Sequence, residues 1–209
     1  MKNKTPFAAL LISQMMISCI LQPNNDFVQV EPRDTPIPTP VSIDVAIKYA
    51  TSDDHMQRII GMWSILEFSE SVSIGLPFVI ENLSYPVEDV RINAARVLAE
   101  FGPSANEAVP SLISTMQTDS EMDVKIESAI ALGLIQNGAA VPFLANNLYS
   151  GNESLAVSSA KSISHITGVV FPDSNSSGYT KDENGNPYIL LAAKEWWEQE
   201  GKNKDWPKP

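Results

Sequence analysis

The feature that most constrains the fold is a short segment that recurs three times along the chain. The three copies read GLPFVIENL, AVPSLISTM and AVPFLANNL. Their prolines, Pro77, Pro110 and Pro142, are 33 and 32 residues apart. A fixed period of this length is typical of proteins that stack one supersecondary unit on the next. We therefore expect a repeat protein, in which each unit buries its apolar face against its neighbours.

A second apolar segment follows each copy and has the 3.6-residue period of an amphipathic helix. The three segments read DVRINAARVLAEFG, DVKIESAIALGLIQ and SLAVSSAKSISHIT. Ala95, Ala129 and Ala160 align within them at spacings of 34 and 31 residues. A small residue at that position allows two helices to approach closely. Each repeat is therefore predicted to be a hairpin of two helices.

The helix boundaries are predicted from residues that favour the first turn of a helix. Proline is tolerated there because its missing N–H would have no partner inside the helix, so Pro77, Pro110 and Pro142 should lie in first turns. Asp89, Asp123 and Ser154 are the expected N-caps of the second helices, because short polar side chains accept hydrogen bonds from the first N–H groups.

A more divergent copy precedes these three, over residues 42–68, with Gly61 at the position of Ala95. This predicts an all-α fold: a short α-solenoid of about four helical hairpins over residues 43–168. Residues 169–188 are rich in Pro, Gly, Asn and Ser and are expected to be a loop. Residues 189–209 contain a helical pattern with Trp196 and Trp197, which we expect to cap the stack.

The repeats resemble HEAT repeats, particularly the short bacterial type found in phycobilisome-lyase-like proteins. In that pattern a proline in the first helix is followed by a valine and a basic residue in the second, as at Arg91 and Lys125. An aspartate six residues before the base is also favoured. Asp119 provides it for Lys125, whereas Tyr85 stands at the equivalent position for Arg91. The resemblance implies the solenoid fold, and it does not specify a function, since this architecture hosts many.

The N-terminal region predicts export. Residues 1–18 combine a basic start with an apolar run that is too short for a comfortable bilayer span. The run ends Met-Ile-Ser before Cys19, the only cysteine, and so resembles a bacterial lipobox. The resemblance implies cleavage before Cys19, acylation of its thiol and attachment to a bacterial cell membrane or outer membrane. Plain secretion, a membrane anchor and a buried core cysteine are the alternatives. Residues 19–42 would form a proline-rich linker.

Composition excludes several classes of function. The net charge of −11 disfavours binding to a phosphate backbone, so no nucleic-acid partner is expected. One cysteine allows no intramolecular disulfide and no CxxC site. No catalytic motif is present, and we expect neither catalysis nor a cofactor nor a metal. An enzyme similar to the lyase-type proteins is the weaker alternative.

The remaining hypothesis is a scaffold that binds another protein through polar positions on its second helices. The candidate contact residues are Arg91, Asn93, Arg96, Lys125, Glu127 and Lys161. The alternative is a small-ligand or glycan-binding module that uses Trp196, Trp197 and the Asn/Ser-rich loop. Part of that loop follows the spacing of a calcium site from Asp173, but Asn184 stands where a bidentate glutamate is required.

Overall fold

A computed structural model describes residues 38–68 and 72–209 of the chain. Cys19, the predicted signal segment 1–18 and most of the predicted linker lie outside the described residues. Within those ranges the regular elements are helices, with one isolated bridge between Lys181 and Pro187. The predicted all-α class is confirmed. None of the helices described there is both long and apolar enough to cross a bilayer.

The chain divides into two compact units, of which the first ends at Phe78. Its helices α1 (Ile43–Ala50) and α2 (His55–Ile65) pack together as a hairpin. The side chain of Asp54 caps α2 by accepting hydrogen bonds from two backbone N–H groups. A Cβ atom at Gly61 would collide with the backbone of α1, at Ala50 and Ala46. The glycine at the position of Ala95 therefore allows the closest approach in this hairpin.

Helix α3 (Val72–Glu81) begins in the first unit and ends in the second. Pro77 lies in its interior, so the prediction that this proline occupies a first turn is wrong. The helix begins five residues before Pro77, and the proline removes one N–H from the hydrogen-bond ladder. Pro110 and Pro142 do lie in the first turns of their helices, as predicted.

The second unit begins at Val79. It contains the second helix of each of three repeats, and these three helices pack side by side. Its helices are α4 (Glu88–Phe101), α5 (Val109–Thr118), α6 (Met122–Ile135), α7 (Val141–Asn147), α8 (Glu153–Thr167) and α9 (Tyr188–Gln199). Helix α6 contacts both α4 and α8, while α5 packs on α6 and α7 packs on α8. Short 3-10 helices join several of these elements. This repeated hairpin stacking is the predicted solenoid arrangement.

The core of the second unit forms where the second helices meet. Ala95, Ala129 and Ala160 are completely buried, as the small residues of the repeat pattern predict. Helices α6 and α8 approach so closely that a Cβ atom at Gly133 would lie 2.6 Å from Oγ of Ser162. The same hydroxyl donates a hydrogen bond of 2.8 Å to the carbonyl of Ala129. Small side chains and this buried hydrogen bond therefore fix the distance between the two helices.

The predicted N-caps of the second helices are wrong by two residues. The cap positions are Val87, Glu121 and Asn152, which places Asp89, Asp123 and Ser154 inside the first turns. Only the Asn152 side chain among these three cap residues accepts a hydrogen bond from its helix. The acidic side chains of the first turns instead stabilise the positive end of the helix dipole.

Helix α9 packs against α8 and closes this end of the stack. Trp196 is buried, and its ring lies 5.9 Å from the ring of Phe171 and 6.4 Å from that of Trp206. Nε1 of Trp206 donates a hydrogen bond to the carbonyl of Gly201. The tryptophans therefore pack the cap, which is the role that the sequence predicted for this helix.

Candidate protein-binding face

The candidate site is the solvent-facing side of the three second helices in the second unit, α4, α6 and α8, which we call the second-helix face. All six residues predicted to contact a partner belong to these helices, and each is half-buried. The structure assigns most of them intramolecular contacts.

Arg91 forms a bidentate ion pair with Asp119 of the next repeat. Its Nε and Nη2 atoms lie 2.7 and 2.9 Å from the two carboxylate oxygens. Nη1 donates to the backbone carbonyls of Tyr85 and Pro86 at 3.0 and 3.1 Å. The side chains of Arg91 and Asp119 are only 11% and 8% exposed. Arg91 thus joins two repeats, and its fork geometry suits this bidentate contact better than an ammonium would.

Two opposing effects set the pKa of Asp119. Burial raises the pKa of its carboxyl, but hydrogen bonds from Arg91 and from the N–H of Glu121 outweigh burial and hold the pKa below its usual value. The hydrogen bond to Asp119 raises the pKa of the Arg91 guanidinium. Both groups are therefore charged at neutral pH, and the pair stabilises the stack.

The sequence pattern connected Asp119 with Lys125 of its own repeat, and the structure pairs Asp119 with Arg91 of the preceding one. The distance along the chain hides this contact, because the two partners are 28 residues apart. The sequence nevertheless contained a signal: Tyr85, six residues before Arg91, has no carboxylate, so an acidic partner for Arg91 has to come from another repeat. In the structure Tyr85 supplies only its backbone carbonyl.

A second ion pair crosses from α4 to α6. Nη2 of Arg96 lies 2.6 Å from Oε1 of Glu127, and the side chains are 40% and 20% exposed. Because this pair is more accessible to water than the Arg91 pair, its contribution to stability is smaller. Arg96 and Glu127 lie at the surface, where a partner could contact both.

The other three predicted residues differ in their surroundings. Nδ2 of Asn93 donates to the carbonyl of Asp89 at 2.8 Å. Nζ of Lys161 donates to the carbonyls of Ser176 and Gly178 at 2.5 and 3.3 Å, which ties α8 to the following loop. The Lys125 ammonium makes no hydrogen bond or ion pair with the part of the chain that the structure describes, although its charge helps to lower the pKa of Asp119.

The sequence reasoning missed an apolar stripe on α6. Met122, Ile130 and Leu134 are 38, 36 and 38% exposed, and Ile126 between them is half-buried. Their regular four-residue spacing was the available signal, since residues four apart lie on one side of a helix. We call these four residues the α6 stripe.

The structure also contains an open polar cleft of about 340 Å³ beside the Arg91 pair. Its walls carry several hydroxyl groups and the backbone of the turn before α4. The lining residues are Leu83, Ser84, Tyr85, Pro86, Arg91, Ser114, Thr115, Thr118, Asp119 and Ser120. The charged groups that face it are already paired with each other.

The C-terminal region offers less to a ligand than the sequence suggested. Trp196 is only 7% exposed, and Trp197 is half-buried. The Asp173 carboxylate accepts hydrogen bonds from the backbone N–H and hydroxyl of Thr180 at 2.7 and 2.6 Å. These bonds, led by the hydroxyl, hold the pKa of Asp173 below its usual value. No group of three or more His, Cys, Asp or Glu residues suited to a metal ion occurs among the described residues.

Residues 76–163 match the family model for HEAT repeats. The protein carries HEAT-like repeats. The matched segment begins in α3 and ends in α8, so it covers the stacked hairpins that bear the second-helix face. HEAT repeats generally serve as protein-interaction scaffolds and are typically non-catalytic. A search of curated proteins finds no significant match to the chain.

Proposed function

We propose that the protein is a lipid-anchored, extracytoplasmic HEAT-repeat scaffold that binds another protein and catalyses no reaction. The observation that carries this proposal is the HEAT-repeat match across the stacked hairpins. Stacked helical repeats present one extended face to a partner, because each hairpin adds a helix to the same surface. The second-helix face is such a surface, and it combines charged and apolar side chains.

The anchoring part of the proposal rests on the sequence around Cys19. The apolar segment has the features of an export signal, and it ends Met-Ile-Ser-Cys. Its single thiol therefore lies where acylation would take place. One acyl chain gives only marginal attachment to a bilayer, so stable anchoring takes more than one. The resemblance to a lipobox implies that this cysteine carries several. The proline-rich residues 19–42 would then hold the repeats away from the membrane surface.

The burial of Trp196 favours the scaffold over the glycan-binding alternative. An aromatic platform for a sugar needs an accessible ring face, and this ring packs against Phe171, Trp197 and Trp206. The typical non-catalytic role of HEAT repeats likewise supports a protein without enzyme activity.

Metabolic labelling with a palmitate analogue tests the anchor. Wild-type protein should incorporate label and sediment with membranes, while Cys19→Ala should do neither, since it lacks the only thiol. Met16→Leu is the matched control: it changes the same segment towards the more usual lipobox residue and should stay labelled. Wild-type protein that takes up no label would contradict the anchoring.

Crosslinking in intact cells, followed by affinity purification of the anchored protein together with any protein crosslinked to it, tests the scaffold role. A defined partner should be recovered at constant stoichiometry with wild-type protein. Failure to recover any protein above the level of an unrelated lipoprotein would contradict it.

A further inference from the structure

The α6 stripe is an exposed apolar surface with helical geometry. Its outermost members, Met122 and Leu134, are twelve residues apart, which corresponds to about 18 Å along a helix. Three of its four side chains are more than a third exposed although all four are apolar. Single exposed apolar residues are common on protein surfaces, whereas a continuous row of them often marks an interaction site.

The neighbouring repeats provide an internal comparison for this stripe. The positions equivalent to Met122 are occupied by Glu88 and Glu153, at the repeat spacings of 34 and 31 residues. Both of these are acidic and lie in the first turns of their helices.

The same comparison applies further along α6. The positions equivalent to Ile130 are Arg96 and Lys161, and those equivalent to Leu134 are Glu100 and His165. The fold therefore accepts charged or polar side chains at three of the four positions. Stacking therefore does not require apolar side chains at Met122, Ile130 and Leu134, so their presence on the surface of α6 needs another explanation.

Charged groups surround the stripe in a defined order. Arg96 of α4 and Lys161 of α8 hold the positions equivalent to Ile130. Arg96 is paired with Glu127 through Nη2 alone, the Lys161 ammonium is bonded only to backbone carbonyls, and Lys125 lies on α6 itself. Near the N-terminal end of α6, Glu88 lies close to Glu121 and Asp123: burial first, and then these two carboxylates, raise the pKa of Glu88. An apolar centre with a polar rim is the usual anatomy of a protein interface.

We infer that the α6 stripe is the docking site for an amphipathic helix of another protein, whose apolar side is flanked by carboxylates. This inference rests on the proposed scaffold function and specifies its partner. Apolar residues at intervals of three and four on the partner would pack between Met122, Ile126, Ile130 and Leu134. Its carboxylates would face Arg96, Lys125 and Lys161, and a basic residue at one end would face Glu121 and Asp123.

The first test uses a designed peptide and the purified full-length protein. An 18-residue fluorescent peptide carries leucines along one helical side, glutamates on both flanks and two lysines at one end. The matched peptide has the same leucines with lysines on its flanks and glutamates at its end. Fluorescence anisotropy should show binding of the first peptide at least about tenfold tighter than binding of the second, which corresponds to about 1.4 kcal/mol.

A charge-neutral double variant tests the site itself. Met122→Glu/Ile130→Lys introduces the residue types of the neighbouring repeats and leaves the net charge unchanged. It should denature at the same urea concentration as wild type and bind the glutamate-flanked peptide at least about tenfold more weakly. Val170→Lys is the matched control, because Val170 is apolar and 77% exposed but lies outside the stripe. This control should bind the peptide as wild type does.

Three results would overturn the inference. One is equal affinity for the two peptides, and another is equal binding by the double variant and wild type. The third is a dimer of wild-type protein, seen by analytical ultracentrifugation, that the double variant abolishes, since a second copy would then occupy the stripe.

The scaffold function and the docking of a partner on the α6 stripe can be refuted independently of each other. If the anchored protein captures a defined partner in cells and the double variant captures it equally well, the scaffold function stands and the stripe inference fails. If no partner is captured although the glutamate-flanked peptide binds wild type specifically, the scaffold function fails instead.

Discussion

Replacing Asp119 by asparagine tests whether the buried ion pair holds adjacent repeats together. The variant removes the negative charge from a site where the Arg91 guanidinium is only 11% exposed. Asparagine has nearly the same volume, and its amide oxygen can still accept the hydrogen bond from the N–H of Glu121. The change therefore removes the charge pairing more than the packing.

The expected cost follows from the contacts that Arg91 keeps. Breaking a buried ion pair by removing one partner costs about 3–5 kcal/mol, because the other charge stays buried. Arg91 retains the carbonyls of Tyr85 and Pro86 and faces the open polar cleft, where water can solvate it, so the expected loss lies below that range, at about 1.5–3 kcal/mol. The more exposed pair of Arg96 and Glu127 gives a matched comparison, and Glu127→Gln should cost about 0–1 kcal/mol.

Urea denaturation followed by tryptophan fluorescence measures both losses, and double-mutant cycles isolate the pairwise part. The cycle of Arg91→Met with Asp119→Asn should give a coupling energy above about 1.5 kcal/mol, and that of Arg96→Met with Glu127→Gln a smaller one. A coupling energy for the first pair that is equal to or below that of the second would refute the reasoning.

The pH dependence of the stability difference between wild type and Asp119→Asn provides a second check. The folded-state pKa of Asp119 is lowered, so its contribution is fully present above the unfolded-state pKa, about 3.9, and is lost as the pH falls through the folded-state pKa. The stability difference between wild type and Asp119→Asn should therefore stay constant between about pH 5 and 7 and shrink below about pH 4. A difference that grows on acidification would contradict the assigned charge state.

Three further predictions concern packing. Gly133→Ala should lower the free energy of unfolding by about 1–3 kcal/mol, because its Cβ would meet Ser162, whereas Gly151→Ala should be nearly neutral, having no atom within 4 Å; urea denaturation distinguishes the two, and equal effects would contradict the close approach. Ser162→Ala should cost about 1 kcal/mol through the lost hydrogen bond to Ala129, with no change in peptide binding. Trp206→Ala should destabilise the C-terminal cap and shift tryptophan emission to the red, since Trp206 covers the ring of Trp196; unchanged emission would show that Trp206 does not shield it.

The repeat architecture was predictable because it depends on positions that one hairpin repeats in the next. Ala95, Ala129 and Ala160 recur at a near-constant spacing, and all three are completely buried. The buried leucines at 98 and 132 follow the same rule. Recurrence of this kind predicts which residues form the stacking contacts, and the prediction does not depend on where any one helix begins or ends.

Helix starts and side-chain partners were less predictable, because they depend on local competition and on contacts between repeats. Asp89 and Asp123 fit a cap position by residue type, yet the helices begin earlier, at Glu88 and Met122. The pair of Arg91 and Asp119 joins residues of different repeats, which a pattern defined inside one repeat cannot reveal.

The repeat pattern predicts which helices form the candidate face, but it predicts the composition of that face only in part. The pattern singled out polar residues such as Arg91 and Lys161, and both make intramolecular hydrogen bonds. The exposure of Ile130 and Leu134 is not predictable from the pattern, because apolar residues in a helical pattern are usually buried. Only the exposed fractions of these side chains in the folded stack distinguish a surface stripe from a core position.

A photocrosslinking amino acid placed at position 130 in the anchored protein, in intact cells, tests the central claim most directly. Illumination should give a discrete crosslinked species containing one partner protein from position 130, and none from position 170, which is also exposed but lies off the stripe. Identical crosslinking patterns from the two positions, or no crosslink from position 130, would contradict the claim that this protein is a scaffold that binds its partner through α6.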